Sequence, residues 1–181
     1  MKQEEFILYS GGAKGTEACF GELAEKYGLQ EVNYSFEGHS MERTRGVRYL
    51  TSEELARKDV SITYVSRLMN RNYSRAPIFR KVLQTISWQV ESGMEIFVVG
   101  RIMDDQTVKG GTGWGAEYAK ICNKPLFVFD QTKESWFRWD EGKWQEMQKP
   151  VISRQSFTGT GTRFLEESGR QALKGLFKDS F

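Results

Sequence analysis

Lys109-Gly110-Gly111-Thr112-Gly113-Trp114-Gly115-Ala116-Glu117 is the stretch on which the fold turns. An apolar run at residues 96–99 leads into it, and a helical pattern through Tyr118, Ala119 and Ile121 leads out. Four glycines therefore crowd the point where a strand hands over to a helix. Glycine lets a ligand approach the main chain closely, and a helix start offers unpaired N–H groups and a positive dipole end. Together these favour an anion, most often a phosphate. A tight turn that packs closely and binds nothing is the plainer alternative; the glycine density favours the ligand.

The rest of the chain repeats this design. Residues 5–9 read as a short buried strand running into Ser10-Gly11-Gly12-Ala13-Lys14-Gly15-Thr16-Glu17, followed by a helix through Phe20, Leu23, Ala24 and Tyr27. This loop is not a Walker A motif, because no Gly-Lys-Ser/Thr closes it, and its spacing is not that of the dinucleotide fingerprint. Residues 31–36 alternate as a second strand, followed by a polar segment with His39, Arg43 and Arg45. That segment is either a solvated loop or a ligand-facing cluster. Thr51-Ser52-Glu53-Glu54 reads as a capping box opening a helix through Leu55, Ile62 and, less regularly, Leu68. The pattern breaks at residues 70–74, and Pro77 suits the first turn of a new helix that ends at Gly93.

Residues 94–100 form a continuous apolar run typical of a central parallel strand, and residues 125–130 form another. Alternation of strands and helices predicts an α/β fold: a Rossmann-like doubly wound, mostly parallel sheet with helices on both faces. Asp140-Glu141-Gly142 marks the turn of a Trp-rich hairpin at residues 135–147, a C-terminal β-hairpin addition to that sheet. Its tryptophans suit a cover on the sheet edge, a dimer surface or an aromatic wall for a ligand. A terminal strand and helix span residues 154–178, with a third glycine turn at Gly159-Thr160-Gly161-Thr162-Arg163.

A length of 181 residues suits a single domain over residues 1–181. Lys and Arg number 26 against 24 Asp and Glu, and with no basic block a nucleic-acid partner is not expected. No apolar stretch has membrane-spanning length, and the N-terminal residues lack the apolar segment of a signal peptide. Cys19 and Cys122 fall in helical patterns without metal-type spacing, and the single histidine excludes a His-rich metal site. A reduced, cytoplasmic setting without a metal is the expectation.

In a parallel sheet all three glycine turns would lie beyond the carboxyl ends of their strands, where ligands sit at a reversal of strand order. The expected ligand is a small phosphorylated one. Loop one would contribute Ser10, Gly11, Gly12, Lys14, Gly15 and Thr16. The central loop would contribute Gly110, Gly111, Thr112 and Gly113, with Trp114 either stacked on a ring or packed on the sheet. Arg163 adds a planar fork suited to phosphate.

With these elements in place, the chain resembles the SLOG superfamily of Rossmann-like proteins over most of its length. That superfamily includes LOG phosphoribohydrolases, molybdenum-cofactor carrier proteins and the DprA-like fold. The resemblance rests on Tyr9 to Glu17, on Gly110-Gly111-Thr112-Gly113-Trp114 followed by Lys124-Pro125-Leu126-Phe127-Val128-Phe129-Asp130, and on Phe157 to Arg163, which is similar to phage-associated relatives. It implies a carrier or sensor of a nucleotide or a molybdopterin-like phosphorylated cofactor, and a homodimer. LOG enzymes carry Gly-Gly-x-Gly-Thr-x-x-Glu, whose Glu serves in hydrolysis of a nucleotide's N-glycosidic bond. Here Gly110, Gly111, Gly113 and Glu117 keep that spacing, with Trp114 in place of Thr, so the resemblance makes Glu117 the candidate catalytic residue of a phosphoribohydrolase. The arginine those enzymes place on the preceding helix would fall near Thr85, with Arg80 and Lys81 the nearest basic residues, which weighs against hydrolysis. DNA binding by the DprA analogy is disfavoured by the small net charge.

Overall fold

A computed structural model of the chain describes residues 2–73 and 76–181. After a 3₁₀ turn at Gln3–Glu5, β1 (Ile7–Ser10) feeds α1 (Thr16–Lys26), and β2 (Gln30–Ser35) follows. Next come β3 (Val47–Tyr49), α2 (Ser52–Ala56), α3 (Asp59–Leu68) and α4 (Pro77–Ser92). β4 (Glu95–Gly100), α5 (Thr112–Ile121) and β5 (Leu126–Asp130) form the central unit. The hairpin β6 (Ser135–Asp140) and β7 (Lys143–Met147) is followed by β8 (Ser156–Gly161) and α6 (Glu167–Ser180).

The strands form one sheet in the order β3-β2-β1-β8-β4-β5-β6-β7. The first six in that order are parallel, and the hairpin adds two antiparallel strands at one edge. Helices cover both faces, as the doubly wound expectation requires. Strand period sorts the core. Phe97 and Val99 of β4 join Phe129 and Phe157 beneath α1 and α6, while Ile96 and Val98 join Leu126 and Val128 beneath α3, α4 and α5. Because β4 is buried on both faces, its sequence after Glu95 reads as an unbroken apolar run, Ile96 to Val99. No helix among the described residues is long and apolar enough to cross a membrane.

Three differences from the sequence reading have local causes. The helix expected from Thr51 onward is two helices. The capping box forms, with Glu54 N donating to Thr51 Oγ1 at 3.2 Å and Thr51 N donating to Glu54 Oε2 at 2.8 Å. Leu55 then packs with Tyr34 and Phe36, whereas Ile62 and Val65 pack with Leu83 and Val98, and the break lets each helix face its own cluster. The third glycine turn is strand: β8 continues through Gly159, Thr160 and Gly161 and pairs with β4 to Gly161. A Cβ at Gly159 would overlap the ring of Phe20, so a residue read as a turn signal serves close helix–strand packing instead. The short edge strand β3 follows the polar segment, and its three residues are too few for alternation to reveal it. The break at residues 70–74 is described as far as Tyr73; Ser74 lies outside the described residues.

The Trp-rich hairpin packs on the sheet edge. Trp136 is buried against Phe129, and Trp139 and Trp144 meet edge to face at 5.0 Å between ring centroids. Lys120 Nζ lies 3.7 Å from the Trp139 ring centroid, and Trp144 Nε1 donates to the Gln106 carbonyl at 2.8 Å.

Phe157 has no solvent exposure and sits where β8 meets both α1 and α6. Phe157→Ala is expected to lower the unfolding free energy by about 3–5 kcal/mol in urea titration. Val60→Ala, at a side chain 82% exposed, should change it by less than about 0.5 kcal/mol.

Candidate functional site

Insertion of β8 between β1 and β4 places the reversal of strand order at the centre of the sheet. A cavity of about 450 Å³ opens there, at the carboxyl ends of β1, β8, β4 and β5. This volume suits a small organic ligand. One wall comes from α4, through Phe79, Val82, Thr85, Ile86 and Gln89. The central glycine loop, the segment after β8 and the first loop supply the others.

The mouth is cationic. Lys14, Arg101, Lys109 and Arg163 all line the cavity and are exposed, and none makes an ion pair among the described residues. They come from three loops that are far apart in sequence. One exposed carboxylate, Glu166, shares the mouth with them.

The central loop is held from behind. Arg71 Nη1 donates to the carbonyls of Val108 and Gly110, both at 3.1 Å, and Arg71 Nη2 donates to Thr107 Oγ1 at 2.7 Å. Asp130 fixes the neighbouring turns by accepting from Ile102 N at 2.8 Å and from Thr132 N at 2.9 Å. Gly113 N and Trp114 N bond back to the carbonyls of Gly110 and Gly111, both at 3.1 Å, whereas the amides of Gly111 and Thr112 have no partner among the described residues. Those two residues line the cavity. Free amides at the start of a helix, beside a cationic mouth, are the groups from which anion sites are commonly built.

The first loop is built differently. Glu17, only 7% exposed, places its own carboxylate among the loop amides. Its Oε2 accepts from Ala13 N at 3.1 Å and its Oε1 from Thr160 Oγ1 at 2.8 Å, with further hydrogen bonds from Gly11 N and the Gln89 side chain. Thr16 N and Thr16 Oγ1 both donate to the Thr162 carbonyl, at 3.1 and 2.7 Å. Gly15 has φ +91° and lies so close to the Arg163 main chain that a Cβ would overlap it. This glycine loop therefore cradles a carboxylate of its own chain and packs against the β8 segment.

Of the twelve residues expected to bind ligand, Lys14, Gly110, Gly111, Thr112 and Arg163 line the cavity. Ser10, Gly11, Gly12, Gly15, Thr16, Gly113 and Trp114 do not. Ser10 Oγ donates to the Gly159 carbonyl at 2.7 Å, and the Gly12 carbonyl accepts from Glu42 N and Arg43 N at 2.9 and 3.0 Å. A Cβ at Gly113 would strike the Val108 carbonyl. Trp114 is packed rather than presented: its Nε1 donates to Ser66 Oγ at 2.8 Å, and Phe79 meets it edge-on at 6.3 Å between centroids.

Glu117 faces away from the cavity. Its Oε2 accepts from Lys120 Nζ at 2.9 Å, on the side of α5 that carries the Trp hairpin. Thr85, where the LOG comparison would have an arginine, lines the cavity, while Arg80 pairs with Asp59 at 2.9 Å and Lys81 lies over the Phe36 ring. The segment after β2 divides. Arg43 and Arg45 engage the buried Glu31 carboxylate, at 2.6 and 3.7 Å, whereas His39 lines the cavity. His39 stacks on Phe36 at 4.7 Å, shares a 3.1 Å hydrogen bond between its Nδ1 and Ser35 Oγ, and is held toward the neutral form by burial.

Glu17, Gln89, Arg101 and Lys109 were not recognised as site residues from sequence. Gln89, beside Val90 on the buried side of α4, is a polar residue on an apolar stripe and was the available signal. Glu17 reads as an ordinary first-turn acid, and only the fold shows its carboxylate turned back into the loop. Among the described residues no group of three or more His, Cys, Asp or Glu side chains is placed to hold a metal ion.

Burial raises the Glu17 pKa above its ordinary 4.5, against the pull of its hydrogen bonds from Thr160, Ala13, Gln89 and Gly11. The folded state therefore keeps a proton that the unfolded chain has released, and this contribution to stability declines as pH rises above about 4.5 until the folded pKa is passed. Glu17→Gln should show a smaller decline than wild type over pH 4–8 in urea unfolding. Parallel profiles would show that Glu17 ionises normally in the fold.

The chain was compared with models of protein families, with curated proteins and with solved structures, and it matches none of them.

Proposed function

We propose that this chain is a binding protein, a carrier or sensor, for a small phosphorylated ligand of nucleotide type held in the switch-point cavity. The observation that carries the reading is the convergence on one mouth of four cations and the Gly111 and Thr112 amides, all without a partner among the described residues. Guanidinium and ammonium groups with backbone donors are the usual partners of phosphate oxygens. The apolar strip of Phe79, Val82 and Ile86 supplies a surface for the uncharged part of such a ligand. The resemblance to SLOG proteins points to the same ligand class, a nucleotide or a molybdopterin-like cofactor, through the central loop. The first loop takes a different part from the one that resemblance implied: it supplies Lys14 to the mouth and holds Glu17 beneath it.

Hydrolysis of a nucleotide through Glu117 is the reading with less support, because the Glu117 carboxylate pairs with Lys120 outside the cavity. A cytoplasmic homodimer remains part of the proposal on the grounds of the resemblance and of the unpaired cysteines alone.

Calorimetric titration with inorganic phosphate and the four ribonucleoside 5′-monophosphates tests the reading. At least one nucleotide should bind, Arg163→Ala should weaken it by about tenfold, and Gly111→Asp should abolish it. Gly111 has an ordinary negative φ, −60°, so the new carboxylate is placed at the mouth without backbone strain. Glu117→Gln should bind as wild type does, and chromatography should show no released base. Absence of binding by every member of the panel would refute the proposal, and base release lost in Glu117→Gln would restore the hydrolase.

A further inference from the structure

Donors and acceptors are segregated in the cavity. The mouth is dominated by cations and free amides, which only donate, with Glu166 the one exposed carboxylate beside them. The floor is the reverse. Gln89 is 1% exposed and lines the cavity, and its Oε1 has no hydrogen-bond partner among the described residues. Its amide nitrogen and the Glu17 carboxyl both lie against Gly11. Thr85 directs its hydroxyl proton to the Val82 carbonyl at 2.7 Å, leaving an acceptor oxygen. Glu17 Oε1 accepts from Thr160 and keeps a further lone pair. A buried acceptor left without a donor is destabilising, and native proteins rarely tolerate one unless a ligand or water completes it.

We propose that Gln89 and Glu17 form a hydroxyl-reading subsite that selects ligands carrying a sugar diol. This rests on the phosphate reading of the mouth and narrows it. A hydroxyl donates to Gln89 Oε1 and its neighbour donates to Glu17 Oε1, while the phosphate on the same sugar engages the cations at the mouth. The apolar strip on α4 then receives the base. The three chemistries of a ribonucleoside monophosphate (anion, diol and flat ring) thus match three surfaces of one cavity. Gln89 and Glu17 act here as specificity-determining residues, and no bond is made or broken.

The test compares the four ribonucleoside 5′-monophosphates with their 2′,3′-dideoxy counterparts by calorimetry on the full chain. Wild type should bind its preferred ribonucleotide at least about tenfold more tightly than the dideoxy form. Gln89→Met, which keeps length and removes the acceptor, should bring the ribonucleotide close to the dideoxy affinity and leave the dideoxy affinity unchanged. Glu17→Gln, which keeps one acceptor, should narrow the gap in part. Equal affinities in wild type would overturn the diol subsite while leaving the phosphate site intact. A full gap persisting in Gln89→Met would place hydroxyl recognition elsewhere and overturn it too. No binding of either series would instead remove the phosphate reading beneath it. Should Gln89→Met fail to fold, the wild-type comparison and Glu17→Gln decide.

Discussion

The Glu17 carboxylate is the tie between the two ends of this chain. It sits in the first turn of α1, closes the glycine loop through Ala13 N and Gly11 N, and reaches across to Thr160 on a strand added some 140 residues later in the sequence. β8 has to lie between β1 and β4 for that hydrogen bond to exist, and this is where strand order reverses and the cavity opens. The main-chain contact of Gly15 and Thr16 with Thr162 and Arg163 reinforces the same seam. A buried carboxylate is expensive unless its lone pairs are filled, so the seam, the loop and the floor of the cavity depend on one another.

This dependence separates the two glycine loops by role. Both follow a central parallel strand and precede a helix. The first surrounds a carboxyl group that the chain itself provides. The second, braced by Arg71 and Asp130, leaves its amides at Gly111 and Thr112 without internal partners. Four cations from three loops converge beside it, none of them ion-paired among the described residues, with Glu166 the one exposed carboxylate at the mouth. Such groups repel one another unless a ligand anion joins them, and the geometry in this way favours occupation.

The fold was legible because its signals are local and periodic. The apolar run of β4, the Pro77 start and Gly93 end of α4, and the Asp140-Glu141-Gly142 turn each depend on a few neighbouring residues. The candidate site was legible only where residues of the loops and the α5 start border the cavity, as with Lys14, Gly110, Gly111, Thr112 and Arg163. Glycine reports that the backbone needs room and does not report what needs it. Gly15 makes room for the Arg163 main chain and Gly159 for the Phe20 ring. Glu117 keeps a familiar spacing, but the Trp hairpin and Lys120 lie on its side of α5, and no local pattern foretells that. Gln89 lay hidden because an orphaned acceptor is a property of the assembled core.

The account stands or falls on where an anion sits. A crystal structure of the chain with a ribonucleoside 5′-monophosphate bound is the most direct measurement. The phosphate should lie within hydrogen-bonding distance of the Gly111 and Thr112 amides and of the Arg163 guanidinium, with Glu17 still held by Ala13 and Thr160. Phosphate lodged on the Gly11 to Gly15 amides with Glu17 displaced, or bound outside the cavity, would contradict it.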